Sequence, residues 1–306
     1  MAVCEVCFRH CDIPEGGLGF CGARTCRDGA VTAANYGRVT ALALDPIEKK
    51  PLARFFPGSM ILSVGSYGCN LRCLFCQNHE ISWSKEAFRF AETADAVTPE
   101  ELAGAADRYR DRGNIGLAFT YNEPLIGWEF VRDTARLVHE RGMKNVMVTN
   151  GTAELSVLEE LLPYVDAMNI DLKGFTEHFY GEIAGGSFGM TKRFIARAAQ
   201  SCHVELTTLI IPGENDSEDA MREETAWIAG LTVGRKDRRS GDSAAYLAVL
   251  PALSHDGPPG DGRWSRVPAG RHCPGAPASC LHRKLLMRRR SRKAGPASVS
   301  NIRRKT

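Results

Sequence analysis

The sequence predicts an α/β protein in which strands and helices alternate from about residue 60 onward. Short apolar runs of strand length are separated by longer segments with helical periodicity, and such alternation is typical of parallel βαβ units. Polar side chains lie at or shortly after the ends of several of the runs, namely Glu123, Asn150, Asp171 and Lys173. Functional sites in such folds lie at the carboxyl ends of the strands, so we expect these polar residues to share one site.

Length and composition indicate an ordinary globular protein. The chain has 306 residues, of which 43% are hydrophobic and 25% are charged, enough for one large or two modest domains. No apolar run approaches the roughly 20 residues that span a bilayer, and the N-terminus does not resemble a secretory leader. We therefore expect a cytoplasmic protein with no membrane partner. In that compartment the eleven cysteines predict metal ligands or reactive thiols rather than disulfides.

Residues 1–57 are expected to form a cysteine-rich N-terminal module. Strands are predicted between Val31 and Thr40. The segment from Asp45 to Leu52 predicts a loop, because each of its prolines disfavours a helical conformation in the residue before it.

Residues 58–233 carry the alternating pattern. The predicted strands cover 61–64, 115–119, 145–148, 167–172 and 204–211, and the predicted helices cover 125–141, 188–201 and 216–231, with a further helix beginning near residue 98. Thr98 has the features of an N-cap, since Pro99 occupies the first helical position and Glu101 the capping-box position.

Three cysteines follow the first strand of this core at CxxxCxxC spacing: Cys69, Cys73 and Cys76. Soft thiolates select iron–sulfur clusters or zinc. Three thiolates on a four-iron cubane leave one iron for a ligand that is not protein, and the amino and carboxylate groups of S-adenosylmethionine can occupy it. The alternative is a structural zinc with His79 as a fourth ligand.

A series of motifs in fixed order makes the chain resemble a known family. The series comprises Cys4, Cys7 and Cys11 with Glu15 and Gly16, then 45–52, 57–59, the cysteine loop through to Ser82, 121–124, 149–151 and 171–174. Over residues 4–232 the chain resembles radical SAM enzymes of the pyruvate formate-lyase activating type, and among them the AmmeMemoRadiSam system enzymes. The resemblance implies a partial (β/α)6 TIM-type barrel, the radical SAM core.

The resemblance also implies roles for individual residues. Cys69, Cys73 and Cys76 would hold a [4Fe-4S] cluster. The expected S-adenosylmethionine contacts are Phe75 along the adenine, Glu123 or nearby backbone at the methionine ammonium with Asn122 beside it, and Asn150, Asp171 and Lys173 at the ribose and carboxylate. For Asp171 and Lys173 the alternative is a surface ion pair, and for His79 it is a structural role.

The implied reaction is reductive cleavage of S-adenosylmethionine to a 5′-deoxyadenosyl radical that abstracts hydrogen from a substrate. The expected partners are a reductase such as flavodoxin or ferredoxin and a substrate that could be a protein. The first alternative is a glycyl-radical-enzyme activase. The others are a metal-binding protein without catalysis and a truncated, inactive product.

A second group of thiols lies near the N-terminus, at Cys4, Cys7, Cys11 and Cys21, with Cys26 in reserve. Four thiols suffice for zinc or for an auxiliary iron–sulfur cluster, and a short glycine-rich segment would gain stability from a metal. The alternative is a set of reduced thiols without a ligand.

Residues 234–306 differ in composition from the rest of the chain. From Arg235 onward there are 17 Lys and Arg against 4 Asp and Glu, with frequent Pro and Gly and no sustained periodicity. We expect this tail to be disordered. Its arginines resemble a nucleic-acid-binding arm, but GC-rich DNA translated out of frame gives the same composition, so a nucleic-acid partner is not expected.

A shifted reading frame would explain the tail. Family members carry a sixth strand reading approximately His-x-Ser-Arg-Phe-Phe-Pro, which is absent here. Codons chosen for residues 245–253 and read one base later give His-Ile-Ser-Arg-Phe-Phe-Pro-Arg. We hypothesise that the residues after about Val233 come from a shifted frame, which would leave the barrel without its last strand.

Overall fold

A seven-stranded sheet is the centre of the fold in the computed structural model, which describes residues 1–93, 96–233, 245–250, 253–254 and 265–266. Its strands are β5 (Ala41–Pro46), β6 (Met60–Gly65), β7 (Asn114–Phe119), β8 (Lys144–Thr149), β9 (Ala167–Asp171), β10 (His203–Leu209) and β11 (Ala245–Leu250). Strands β6 to β11 are parallel and lie in sequence order, while β5 pairs antiparallel with β6 at the edge. The predicted α/β class with a parallel, barrel-type sheet is confirmed.

Helices connect the parallel strands. They are α1 (His79–Ser82), α2 (Lys85–Thr93), α3 (Pro99–Arg108), α4 (Trp128–Glu140), α5 (Leu155–Leu161), α6 (Phe188–Ala198) and α7 (Glu218–Val233), and a 3-10 turn at Pro124–Gly127 precedes α4. The predicted capping box is present, because the Thr98 side chain accepts from the Glu101 amide and the Glu101 side chain accepts from the Thr98 amide. In the part of the chain that the structure describes, no helix is long and apolar enough to cross a membrane.

Alternate residues of the strands pack on opposite faces of the sheet. Leu62, Leu117 and Met147 belong to the large core beneath the helices. Their neighbours on the other face, Ile61 and Ala118 among them, pack against a segment that follows β5 and contributes Ile47 and Leu52.

This segment, residues 47–54, is further anchored to the inner face by polar groups. The side-chain amide of Asn169 donates to the Pro51 carbonyl at 3.2 Å. Glu205 accepts from the backbone N–H groups of Ala53 and Arg54 at 2.7 and 2.9 Å. Residues 47–54 therefore cover the inner face of the sheet.

The region before β6 differs from its prediction in two respects. Asp45 and Pro46 were predicted to lie in a loop but form the end of β5. Between Val31 and Thr40, where strands were predicted, β4 (Ala30–Ala33) already ends at Ala33. The antiparallel ladder with β6 supplies the hydrogen bonds that make Asp45 part of a strand, and a proline at a strand end removes no required donor.

The C-terminal region also needs a correction. Residues 245–250 were predicted to be disordered, leaving the barrel without its last strand, but they pair with β10 in unbroken parallel register from Val204↔Ala245 to Leu209↔Leu250. The backbone of β11, a strand of apolar residues, pairs with the N–H and C=O groups that β10 would otherwise expose at the edge of the sheet. Two short strands, β12 (Leu253–Ser254) and β13 (Ser265–Arg266), pair antiparallel. The predicted disorder of the other tail residues lies outside the described residues.

Two small hairpins form the N-terminal region. Strand β1 (Ala2–Val3) pairs with β2 (Asp12–Ile13), and β3 (Arg24–Arg27) pairs with β4. Buried Arg24 ties this region to the core, because its Nη1 contacts both carboxylate oxygens of Glu129 at 2.7 Å. This contact thus fixes the β3–β4 hairpin to α4.

Candidate functional site

The cysteine loop begins at the carboxyl end of β6 and is held in place by the N-terminal region. Gly68 has φ +93°, and a Cβ there would lie 2.6 Å from the Ala23 side chain and 3.0 Å from the Cys21 carbonyl oxygen. The Cys69 amide donates to that same carbonyl at 3.3 Å. The N-terminal region therefore forms the support on which the loop rests.

Asn122, a predicted cofactor contact, fixes the start of this loop. Its Oδ1 accepts from the Ser66 amide at 2.9 Å, and its Nδ2 donates to the carbonyls of Tyr67 and Gly68 at 3.1 and 3.3 Å. The amide group is thus engaged with backbone. Its predicted contact with S-adenosylmethionine stays a prediction.

The three thiols differ in their surroundings. The Cys69 Sγ accepts from the Leu71 amide at 3.4 Å, and the Cys73 Sγ donates to the Ala184 carbonyl at 3.7 Å. Burial raises the pKa of both thiols, that of Cys73 to about 11 even though the nearby ammonium of Lys173 acts in the opposite direction. Protons must therefore leave when a metal binds.

The donor set fits an iron–sulfur cluster chemically. Among the residues that the structure describes, however, no three His, Cys, Asp or Glu side chains already stand in metal-binding geometry. Side-chain rotation would have to bring the sulfurs of Cys69, Cys73 and Cys76 to a common point.

Glu123 joins the ends of two neighbouring strands. Its carboxylate is 2% exposed and accepts from the Leu125 amide at 3.0 Å, the Thr149 hydroxyl at 2.6 Å and the Asn150 amide at 2.8 Å. Burial raises the pKa of Glu123 to about 7 in spite of these hydrogen bonds. The carboxylate therefore holds the turn after β8, and its predicted contact with the methionine ammonium stays a prediction.

Asn150 lies beside the first cysteine of the loop. Its Nδ2 is 3.9 Å from the Cys69 Sγ and donates to Asn70 Oδ1 at 2.9 Å, while its Oδ1 accepts from the Thr152 amide at 2.8 Å. The structure thus brings together a residue from the end of β8 and the predicted cluster ligand.

Asp171, Lys173 and Phe75 form a second group at the end of β9. The Lys173 Nζ lies 2.7 Å from Asp171 Oδ2 and 5.9 Å from the centre of the Phe75 ring. Burial disfavours the ammonium, but the carboxylate of Asp171 and the sulfur of Cys73 outweigh burial and raise the pKa of Lys173. The Lys173 side chain is 16% exposed and the Asp171 side chain is 36% exposed, so the surface ion pair stays the alternative to the predicted cofactor contact.

Comparison with known proteins identifies the family. The family model described as the Radical SAM superfamily matches residues 63–224, more than half of the chain. This chain belongs to the radical SAM superfamily.

Two relatives illustrate its place there. An uncharacterized protein of Methanocaldococcus jannaschii is 42% identical over 218 residues, which cover 71% of this chain and 62% of that protein. The pyruvate formate-lyase 1-activating enzyme of Escherichia coli is 28% identical over 159 residues, which cover 50% of this chain and 62% of the enzyme. The match thus spans less than two thirds of each relative. This radical SAM chain is homologous to pyruvate formate-lyase activating enzymes.

A solved structure shows a weaker likeness. A domain of pyruvate-formate lyase-activating enzyme from Bacteroides vulgatus superposes with a TM-score of 0.40 and 18% identity, covering 50% of this chain and 86% of that domain.

His79, the alternative zinc ligand, lies at the start of α1 behind the cysteine loop. Its Nδ1 is 3.3 Å from the Cys76 carbonyl oxygen, and its ring centre is 5.8 Å from that of Trp83. These contacts favour a structural role for His79.

Two arginines that were not predicted as site residues donate to backbone carbonyls of the cysteine loop in this radical SAM protein. Arg72 donates to the carbonyls of Cys69 and Leu71 at 2.6 and 2.7 Å. Arg9 donates to the carbonyl of Asn70 at 2.8 Å and lies 3.4 Å from the centre of the Phe20 ring. Arg72 lies inside the cysteine motif, so its sequence position alone indicates that it is close to the predicted cluster ligands. Arg9 is about sixty residues away in sequence, and nothing in the sequence indicates its contact.

Proposed function

We propose that this protein is a radical SAM enzyme that cleaves S-adenosylmethionine reductively at a [4Fe-4S] cluster held by Cys69, Cys73 and Cys76. The chemistry supplied by the bound cluster and cofactor is a 5′-deoxyadenosyl radical that takes a hydrogen atom from a substrate. The observation that carries the proposal is the meeting of the three-cysteine loop with polar residues from two other strand ends: Asn150 at Cys69, and Lys173 near Cys73.

The chain's own groups suit a zwitterionic cofactor. Lys173 provides a positive charge and Asp171 a negative one, 2.7 Å apart and beside the Phe75 ring. We propose that Lys173 attracts the cofactor carboxylate, that Asp171 and Asn150 bind the ribose, and that Phe75 packs along the adenine. Asn122 holds the cysteine loop and Glu123 holds the turn after β8, in both cases by hydrogen bonds to backbone groups. The two residues would therefore position cofactor-binding groups and would also lie beside the methionine ammonium.

The packing of residues 47–54 on the inner face of the sheet fits radical chemistry. Residues 47–54 cover the inner face of the sheet and engage Asn169 and Glu205. A covered inner face limits the access of water from that side, which protects reactive intermediates. A substrate would therefore approach from the carboxyl ends of the strands.

The identities of the substrate and of the partners are more specific proposals. The similarity to pyruvate formate-lyase activating enzymes favours a low-potential reductase such as flavodoxin or ferredoxin as partner, and makes a protein substrate the second candidate. Assignment to the AmmeMemoRadiSam system remains the specific proposal, and it rests on the resemblance of the residues from Asp45 to Leu52 to that group.

The test is anaerobic reconstitution of the full chain with iron and sulfide, followed by reduction in the presence of S-adenosylmethionine. Wild-type protein should bind about four irons in addition to any at a second site and release 5′-deoxyadenosine. Cys73→Ala should lose both properties. Cys202→Ala is the matched control, since Cys202 is also buried but bonds to the Ala198 carbonyl far from the loop.

Three results would favour the alternatives. Stoichiometric zinc at the loop without cleavage would indicate a metal-binding protein. Cluster assembly in a chain that aggregates would indicate an inactive product. A glycine-centred radical, detected by electron paramagnetic resonance after incubation with a glycyl-radical enzyme, would indicate an activase.

A further inference from the structure

Four cysteines of the N-terminal region line a single small cavity: Cys4, Cys7, Cys11 and Cys21. Three of them are buried, and only Cys11 is partly exposed. The backbone draws the first and third together, because the Cys4 amide donates to the Cys11 carbonyl at 2.9 Å. Four thiols from two segments, the β1–β2 loop and the turn before β3, thus line one cavity.

The turn at Cys21 resembles the one at the cysteine loop. The Cys21 Sγ accepts from the amide two residues later, Ala23 N–H, at 3.4 Å. Cys69 shows the same relation to Leu71 at 3.4 Å. An N–H group directed at sulfur stabilises a thiolate, which is the form that binds metal.

The cavity has room for a small ligand. Its free space is about 10 Å³, the room of about one water molecule. A single ion fits in that space. A tetrahedral set of four thiolates, two of them at C-x2-C spacing, is a preferred ligand set for structural zinc.

We propose that Cys4, Cys7, Cys11 and Cys21 bind one structural zinc ion. As at the cysteine loop, the described thiols do not already stand in metal-binding geometry, so side-chain rotation would bring the sulfurs to about 2.3 Å from the ion.

The ion would stabilise the support of the cysteine loop. The Cys21 carbonyl accepts from the Cys69 amide, and Ala23 lies against Gly68. Cys7 also lines the same cavity as Asn70, the residue next to Cys69. Fixing Cys7 and Cys21 on one ion would therefore fix two contacts of the loop.

The test measures zinc and iron in the same samples of reconstituted full-length protein by mass spectrometry. Wild-type protein should hold about one zinc. Cys4→Ser and Cys21→Ser should lower zinc occupancy at limiting zinc by at least about tenfold, while the iron of the loop is lost only in Cys73→Ser. Cys26→Ser should keep its zinc, because the Cys26 Sγ is buried but donates to Glu15 at 3.4 Å and lies outside the cavity lining.

Several outcomes would overturn the proposal: no zinc, a second set of about four irons in place of zinc, or equal zinc loss in Cys26→Ser. Zinc absent with loop iron intact would refute this inference alone, and the reverse would refute only the proposed function.

A second measurement does not depend on the folding of variants. Cobalt added to metal-free wild-type protein should give the intense absorption of a tetrahedral four-thiolate site, and a spectrum of octahedral or weakly bound cobalt would contradict the proposal.

Discussion

Glu224 should make the stability of this protein depend on pH. It lies on α7, is 1% exposed, and contacts the Thr208 hydroxyl at 2.5 Å. That hydroxyl also lies 2.9 Å from the Leu172 carbonyl, its second potential acceptor. One hydroxyl hydrogen cannot serve both acceptors, so a protonated Glu224 that donates to Thr208 satisfies every group. Burial accordingly raises the pKa of Glu224 to about 7, against the effect of the Thr208 hydrogen bond.

The sign and size follow from proton linkage. An unfolded chain releases the Glu224 proton near pH 4.5, whereas the folded protein keeps it until about pH 7. Between these values the folded state binds more protons, so the free energy of unfolding falls as pH rises. The contribution is fully present below about pH 4.5 and lost above about pH 7, and the two pKa values set its upper limit at roughly 3 kcal/mol.

Urea denaturation of wild type and Glu224→Gln at pH 5, 6, 7 and 8 measures this contribution, with metal content held equal. Glutamine keeps a hydrogen-bonding group of the same shape but does not titrate. The wild type should lose up to roughly 3 kcal/mol more than the variant between pH 5 and 8. Glu218→Gln is the control, because Glu218 is on the same helix with an 84% exposed side chain. Parallel stability profiles for wild type and Glu224→Gln would refute the reasoning.

Three further predictions concern the site and the tail. Asn122→Ala should destabilise the protein by about 1–3 kcal/mol, because backbone groups of the loop lose their partners, and it should speed iron loss; unchanged urea midpoint and iron retention would contradict this. Lys173→Met should raise the Kd for S-adenosylmethionine at least about tenfold with cluster iron retained, since a charged partner is worth about 1.5–3 kcal/mol; equal affinity in equilibrium dialysis would exclude the contact. Sequencing of the coding DNA should show that a single-base shift between the codons of Thr232 and Ala244 restores His-Ile-Ser-Arg-Phe-Phe-Pro, and the hypothesis is wrong if no such shift does.

Local signals made most of the core predictable. The strands from β6 to β10 were predicted within a few residues, and the capping box at Thr98 is present as expected. Helices α1, α2 and α5 were not predicted. Strand β11 was predicted wrongly, because its composition was judged with the arginine-rich residues around it, while the free edge of β10 provides a partner that no local pattern reveals.

The sequence by itself determined the family, because motifs in a fixed order run through the core, and it placed three thiols within eight residues, where one local turn can bring them together. Only the tertiary structure decided what surrounds that loop. Arg9 contacts it from the N-terminal hairpins, Asn150 from the end of β8, and Lys173 from the end of β9. These residues are neighbours because parallel strands bring distant segments to one edge of the sheet, a result of chain packing and not of sequence spacing.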